Sequence, residues 1–276
     1  MISSVAIIGT GCMGSMLLQA SHRFSPGRYR LHAAGRRPSL DRLGEAIAGL
    51  RTGSARDVAA ACEMVVLAVQ PSRYPALVEE IAPNLKPGAI VVSITNGVPL
   101  DAIAERVRAP LVKVIPTVAH AVGRGISLVM PGPRATATHV RAVTDFLSPF
   151  GKPVVIPAED ARVATNITGC GPALLSLFVT TLVRANGKRA TRIDDGALRA
   201  LMQETLSATA AMIDTGISPD RIIHDAATGG GMTQAALDAL SLRLPELADA
   251  MVEQTFARER LLAGNSIEPE GKGNTE

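Results

Sequence analysis

The chain has 276 residues, 47% hydrophobic and 19% charged, which provides for two domains or one large one and argues against a disordered protein. A net charge of +3 suits an anionic small ligand, while the absence of a Lys/Arg block or aromatic platform argues against nucleic-acid binding. Cys12, Cys62 and Cys170 are far apart and lack CxxC or metal-ligand spacing, so a reducing, cytoplasmic setting is expected, with no disulfide framework and no metal site.

The opening apolar run is too short for a signal peptide and is cut by glycine. No uninterrupted apolar stretch reaches the roughly 18–20 residues of a membrane span. Through the first half, short Val/Ile-rich runs alternate with amphipathic segments, the pattern of βαβ units and a mainly parallel sheet. Strands are predicted at 5–8, 29–34, 64–69, 89–94, 111–115, 125–130 and 153–156. Helices are predicted at 13–23, 40–47, 74–84, 100–107 and 136–150. Continuous apolar strands such as Val65-Val66-Leu67-Ala68-Val69 predict burial on both faces of the sheet. Beyond residue 157 the β-branched runs thin out and Ala/Leu/Met periodicity dominates, predicting helices at 158–186, 194–215, 219–226, 233–242 and 245–262. The expected organisation is an N-terminal Rossmann domain over 1–157, an all-α domain over 158–263 and a disordered tail over 264–276.

The first predicted strand runs into Gly9-Thr10-Gly11-Cys12-Met13-Gly14, and a helix follows at once. Gly9 permits a tight turn, Gly11 lets backbone approach a diphosphate, and Gly14 lets helix pack closely on strand. The helix start offers N–H groups and positive dipole to anionic oxygens. An acid ending the second strand would bond the ribose 2′-OH of NAD. Here the strand ends in Gly35-Arg36-Arg37-Pro38-Ser39, with two guanidinium groups and a hydroxyl and no carboxylate. That chemistry suits a 2′-phosphate and places NADP(H) ahead of NAD(H); solvated loop arginines are the other reading. Ala68-Val69-Gln70-Pro71 and Thr95-Asn96-Gly97 lie where later strands end, the edge at which such sheets bind ligands. Asn96 either bonds the nicotinamide half of the cofactor or forms an ordinary Asn-Gly turn.

A second glycine cluster, Gly229-Gly230-Gly231-Met232-Thr233, opens the predicted helix at 233. Three glycines are costly inside a helix, but they suit either backbone N–H groups converging on an anion or a flexible loop capped by Thr233. Thr168-Gly169-Cys170-Gly171-Pro172 interrupts the predicted helix 158–186 and is expected to kink it or create a close contact. Small-residue packing at that kink outweighs a nucleophilic role for Cys170, since no histidine lies near it in sequence.

IIGTGCMG (7–14), VVLAVQPS (65–72), VVSITNGVPL (91–100), GCGPALLSLF (169–178) and GGGMTQAALDAL (229–240), in this order, resemble the pyrroline-5-carboxylate reductase family. The resemblance spans residues 5–262. It implies a Rossmann domain followed by a helical dimerisation domain whose helices interleave between subunits. It also implies reduction of a cyclic imine by NADPH or NADH, the last step of proline synthesis. Gly230, Gly231, Met232 and Thr233 inherit the substrate-carboxylate role, with Cys170 a further substrate contact. Thr233 is the implied catalytic residue, acting by orientation and proton placement.

Several positions depart from the family pattern. Met-Pro-Asn-Thr reads Ile115-Pro116-Thr117-Val118, and Ser-Gly-Ser-Gly-Pro reads Thr168-Gly169-Cys170-Gly171-Pro172. Ala-Ala-Gly reads Thr95-Asn96-Gly97, Gln70 replaces a lysine, and Pro-Gly-Gly reads Gly229-Gly230-Gly231. Loss of polar donors changes which imine a buried site accepts. The alternatives are therefore a reductase of a different cyclic imine and a non-catalytic NADP-binding sensor or assembly protein. His120, after the altered stretch, is either a general acid facing the nicotinamide or an ordinary loop histidine.

Overall fold

Eight strands form one sheet in the computed structural model, which describes residues 2–95 and 97–265. They are β1 (Ser4–Ile8), β2 (Arg30–Ala34), β3 (Arg51–Thr52), β4 (Met64–Leu67), β5 (Ile90–Ser93), β6 (Leu111–Ile115), β7 (Ile126–Pro131) and β8 (Lys152–Val155). Their spatial order is β3-β2-β1-β4-β5-β6-β7-β8. All neighbours are parallel except the antiparallel pair β6 and β7. The chain winds outward from β1 in one direction, then crosses back to β4, leaving a topological switch point where β1 and β4 end.

The helices of this part are α1 (Cys12–Phe24), α2 (Arg37–Ala46), α3 (Ala55–Ala61), α4 (Tyr74–Ile81), α5 (Leu100–Ala104), α6 (Ala137–Leu147) and α7 (Ala161–Thr168). Side chains alternate along each strand, so one sheet builds two cores. Val5 and Ile7 of β1 join Leu17 and Leu18 of α1 and Phe146 of α6. Ala6 and Ile8 face the opposite way, towards Val58 of α3, Leu77 and Ile81 of α4 and Ile103 of α5. A third cluster places Ala161 and Ala164 of α7 on Ile115, Leu128 and Met130.

Two elements lie where the sequence reading expected none. β3 is a two-residue edge strand, too short for any periodicity to mark. α3 is held by a capping box, with Asp57 N–H donating to Ser54 Oγ at 3.1 Å and Ser54 N–H to Asp57 Oδ2 at 3.4 Å. The helix expected over 158–186 is broken. After a 3₁₀ turn at Ala158–Asp160, α7 ends at Thr168 and α8 (Gly171–Gly187) starts afresh. The Gly169 and Cys170 N–H groups both turn back to the Thr165 carbonyl, at 2.9 and 3.0 Å.

The described residues divide into two compact units, one formed by those up to Cys170 together with residues 256–265, the other by Gly171–Thr255. The second unit contains α8, α9 (Asp195–Asp214), α10 (Pro219–Ala226), α11 (Met232–Ser241) and the first part of α12 (Leu244–Asn265). Asp194 and Ser218 cap α9 and α10 through the Ala197 and Arg221 N–H groups, at 2.7 and 3.2 Å. Gly216, at φ +91°, lets the chain leave α9. α12 carries helix to Asn265, past the predicted start of the tail, and residues 266–276 lie outside the described residues.

Within 171–255, Val183 is the sole residue buried among the described hydrophobics, whereas Leu175, Leu177, Phe178, Leu201 and Leu247 are largely exposed. The segment Ala158–Gly187 has the length and mean hydropathy, 1.5, of a membrane span. That differs from the expectation drawn from uninterrupted runs, because hydropathy averaged over a window tolerates the glycines and threonines that break the run.

Candidate functional site

The carboxyl edge of β1 opens into the turn anticipated for a dinucleotide. Gly9 adopts φ +104° and its N–H donates to the Ala34 carbonyl at the end of β2, at 2.8 Å. A Cβ there would lie 2.4 Å from the Ala68 carbonyl oxygen, and a Cβ on Gly14 would lie 1.9 Å from that of Gly9. α1 therefore lies directly on the turn only because both residues lack side chains. Gly11 is the N-cap of α1, receives no side-chain cap, and has open space where a Cβ would stand. Met13 points elsewhere, its side chain packed on the first core.

Beside this turn is a cleft of ≈ 630 Å³ lined by Thr10, Gly11, Cys12, Arg36, Ser39 and Arg42, among others, with no carboxylate in its lining. Arg36 is the N-cap of α2, and Pro38 occupies the helix's first turn. Arg37, the other arginine singled out in the sequence, does not line the cleft. Its side chain is 90% exposed and reaches Asp41 at 3.9 Å. Arg42 takes the second place, its Nε donating to the Pro38 carbonyl at 3.2 Å. The helix begins three residues before the predicted start at 40. With the start at Arg37, as proline in the first turn signals, Ser39, Arg42 and Leu43 fall on one face. A turn bare of side chains at Gly9 and Gly11, an uncapped helix start and two guanidinium groups with no acid in the lining fit a phosphorylated dinucleotide.

At the next strand ends the floor is tied together by hydroxyls. Tyr74 donates to the Leu67 carbonyl at 3.0 Å and lies 3.0 Å from Ser93 Oγ, and burial pushes its phenol pKa up. Thr95 Oγ1 donates to the Val69 carbonyl at 2.7 Å, linking the segments that follow β4 and β5. Ala68 and Val69 are partly buried at this edge, Gln70 is exposed and Pro71 opens a 3₁₀ turn, while Asn96 lies outside the described residues. Lys113 of β6, missed from the sequence, donates through Nζ to the Val98 carbonyl at 3.2 Å. Burial holds its pKa below the usual lysine value, opposed by the Glu259 carboxylate.

His120 is not a cleft residue. It is fully buried, with Nδ1 2.9 and 3.1 Å from the carbonyls of Arg124 and Phe150 and Nε2 2.7 Å from Ser127 Oγ. Two carbonyls at Nδ1 require a proton there, so the ring is a structural link, and burial holds its pKa down against the raising effect of those two bonds. His139 helps cap α6 with Thr136, and His224 pairs with Asp225 on the surface at 3.1 Å. Cys170 is partly exposed, just beyond the end of α7. Among the described residues no group of three metal-ligating side chains occurs.

In the second unit, Gly230 adopts φ +73°, and a Cβ on Gly229 or Gly230 would meet nothing within 4 Å. Gly231 is the N-cap of α11, uncapped by any side chain, and its N–H closes on the Thr228 carbonyl at 2.8 Å. Met232 is 93% exposed. Thr233 is exposed in the first turn of α11 and is not its cap.

Residues 4–97 match a family model described as NADP oxidoreductase coenzyme F420-dependent, and residues 158–262 match pyrroline-5-carboxylate reductase dimerisation. Together, and in this order, the two matches support membership of the pyrroline-5-carboxylate reductase family. A pyrroline-5-carboxylate reductase of Methanosarcina acetivorans is 27% identical over 246 residues, 86% of this chain and 88% of the relative. One of Pseudomonas aeruginosa is 26% identical over 258 residues, covering 91% and 92%. The fold matches that of Plasmodium falciparum pyrroline carboxylate reductase with NADP bound at a TM-score of 0.83 and 22% identity, covering 95% and 98% of the two chains. The dimerisation match on a unit with so little buried hydrophobic surface indicates self-association.

Proposed function

We propose that this chain is a cytoplasmic, NADPH-dependent reductase that converts 1-pyrroline-5-carboxylate to L-proline, the bound cofactor supplying hydride to the imine carbon. The carboxylate-free cleft beside the glycine turn carries this reading, in the setting of family membership. The turn from Gly9 to Gly14 takes the diphosphate on backbone N–H groups, and Arg36 and Arg42 take the 2′-phosphate. The edge from Ala68 to Pro71 borders the other half of the cofactor. Gly230, Gly231, Met232 and Cys170 contact the substrate, whose carboxylate suits the uncapped start of α11. Thr233 orients the imine nitrogen and places its proton.

Arg42→Ala is expected to weaken NADPH roughly tenfold or more while leaving NADH within about twofold, by fluorescence titration, since a charged hydrogen bond contributes about 1.5–3 kcal/mol. Equal losses for both cofactors would remove the 2′-phosphate assignment. Thr233→Ala is expected to lower kcat at least tenfold with NADPH affinity unchanged. The decisive experiment supplies 4-deuterated NADPH and 1-pyrroline-5-carboxylate and looks for deuterium in proline. No transfer to any cyclic imine, with NADPH still bound, would favour a sensor.

One observation favours a different imine as substrate. Where the family carries Asn-Thr, Thr117 is buried with its hydroxyl oxygen facing the Ala119 N–H at 3.4 Å, and Val118 is half exposed. That arrangement supports a less polar ring, and the same assay with six-membered and carboxyl-free imines separates the two.

A further inference from the structure

The peptide between Thr10 and Gly11 is clasped from two sides. Its carbonyl oxygen accepts the Ser39 hydroxyl at 2.6 Å and the Ser15 hydroxyl at 3.0 Å. Thr10 is itself wedged, because a Cβ on Gly35 would lie 2.1 Å from its Oγ1. Ser39 and Thr10 are both nearly buried, at 9% and 7% exposure, although both reach the cleft. A trans peptide is planar, so fixing the direction of the Thr10 carbonyl fixes the Gly11 N–H in the opposite direction. Without that restraint the peptide could turn over more readily, since a flip changes ψ of Thr10 and φ of Gly11, and glycine tolerates either sign of φ. A flipped peptide would turn an oxygen towards the anion in place of an N–H.

We propose that Ser39, assisted by Ser15, is a positioning residue that locks the Thr10–Gly11 peptide, so that the dinucleotide turn and the arginine-bearing start of α2 act as one cradle. Ser39 thus acts on the diphosphate through Thr10, and its hydroxyl proton is committed to a carbonyl instead of serving the 2′-phosphate as the sequence suggested. The proposal rests on the dinucleotide reading above and extends it to the coupling of two subsites. A change at Ser39 therefore lowers affinity for phosphorylated and unphosphorylated dinucleotides alike, unlike a change at Arg42.

The test compares Ser39→Ala, Ser39→Thr, Ser15→Ala and Arg42→Ala in the full chain, titrated with NADPH and NADH, alongside amide exchange at Gly11 in the ligand-free protein. Ser39→Ala is expected to weaken both cofactors by the same factor, roughly threefold to tenfold for one hydrogen bond, and to speed Gly11 exchange. Ser15→Ala does so less, and Ser39→Thr retains most of the affinity. Loss of NADPH alone would make Ser39 a 2′-phosphate ligand and overturn the proposal. A lowered Tm with both affinities and Gly11 exchange unchanged would overturn it too, by leaving only a structural role. If the wild-type protein bound neither dinucleotide, the functional reading would fall, and Gly11 exchange would still decide the clasp.

Discussion

Histidine 120 shows how a residue that reads as chemistry in one dimension becomes architecture in three. Its ring is in edge contact with Phe150 at 5.6 Å between centroids, and a Cβ on Gly151 would strike its Cε1 at 2.5 Å. Protonating Nε2 requires Ser127 to turn its hydroxyl round and accept, and burial disfavours the added charge, which lowers the His120 pKa. His32 on β2 leans the same way, through burial first and then its neighbours Arg51, Arg30 and Lys86. Both pKa values are held below the ordinary 6.5 or so, so the unfolded chain binds more protons than the folded one once pH falls below that value. Their stabilisation is complete above about pH 6.5 and is lost progressively as pH falls towards the folded values. Urea midpoints should therefore drop between neutral pH and pH 5. His120→Gln, which cannot protonate, should be less stable at pH 8 and show a shallower drop. An unchanged slope in that variant would remove His120 from the account.

Elements were legible in proportion to how much local physics decides them. The strands other than β3 and the Pro219–Ala226 helix follow from apolar runs and from Ser218 and Pro219 at a helix start. The capping box at Ser54 and Asp57 was there to be read, but a seven-residue alanine-rich segment carries no periodicity to draw attention to it. The site was legible where glycine is obligatory and obscure where a helix boundary decides which arginine turns inward, hence Arg37 in place of Arg42. Tertiary partners of Ser39 and Lys113 lie about thirty and fifteen residues away, beyond any local pattern. The glycines of the turn are unequal in consequence. Gly11→Ala has open space around it and should fold with a Tm near wild type, yet lose NADPH at least tenfold, because the methyl occupies the approach to the turn. Gly14→Ala places a carbon within 1.9 Å of a carbonyl oxygen and should lower Tm as well. Matching affinities for Gly11→Ala and wild type, by titration, would mean the diphosphate lies elsewhere.

At the scale of the whole chain, the two units differ in how they obtain a core. Residues up to Cys170 bury apolar side chains on both faces of a sheet, whereas Gly171–Thr255 by itself leaves many of its leucines exposed. Leu175, Phe178 and Leu182 lie three and four apart on α8, so they form one stripe along its surface. Burying a leucine or phenylalanine stabilises by about 1.5–3 kcal/mol, and a two-fold interface counts each twice. A second copy of this chain is the covering that the dimerisation match supports, and such a stripe covered by its own mate contributes enough to make dimer formation part of folding. Leu175→Asp with Phe178→Asp should therefore convert a sedimenting dimer or larger assembly to monomer, lower the Tm steeply and abolish turnover. The cleft beside Gly11 draws its lining from residues 10–43 alone, so NADPH should still bind wherever the first unit stays folded. An assembly unchanged by these two charges, in sedimentation at micromolar concentration, would mean that α8 faces something other than its own copy.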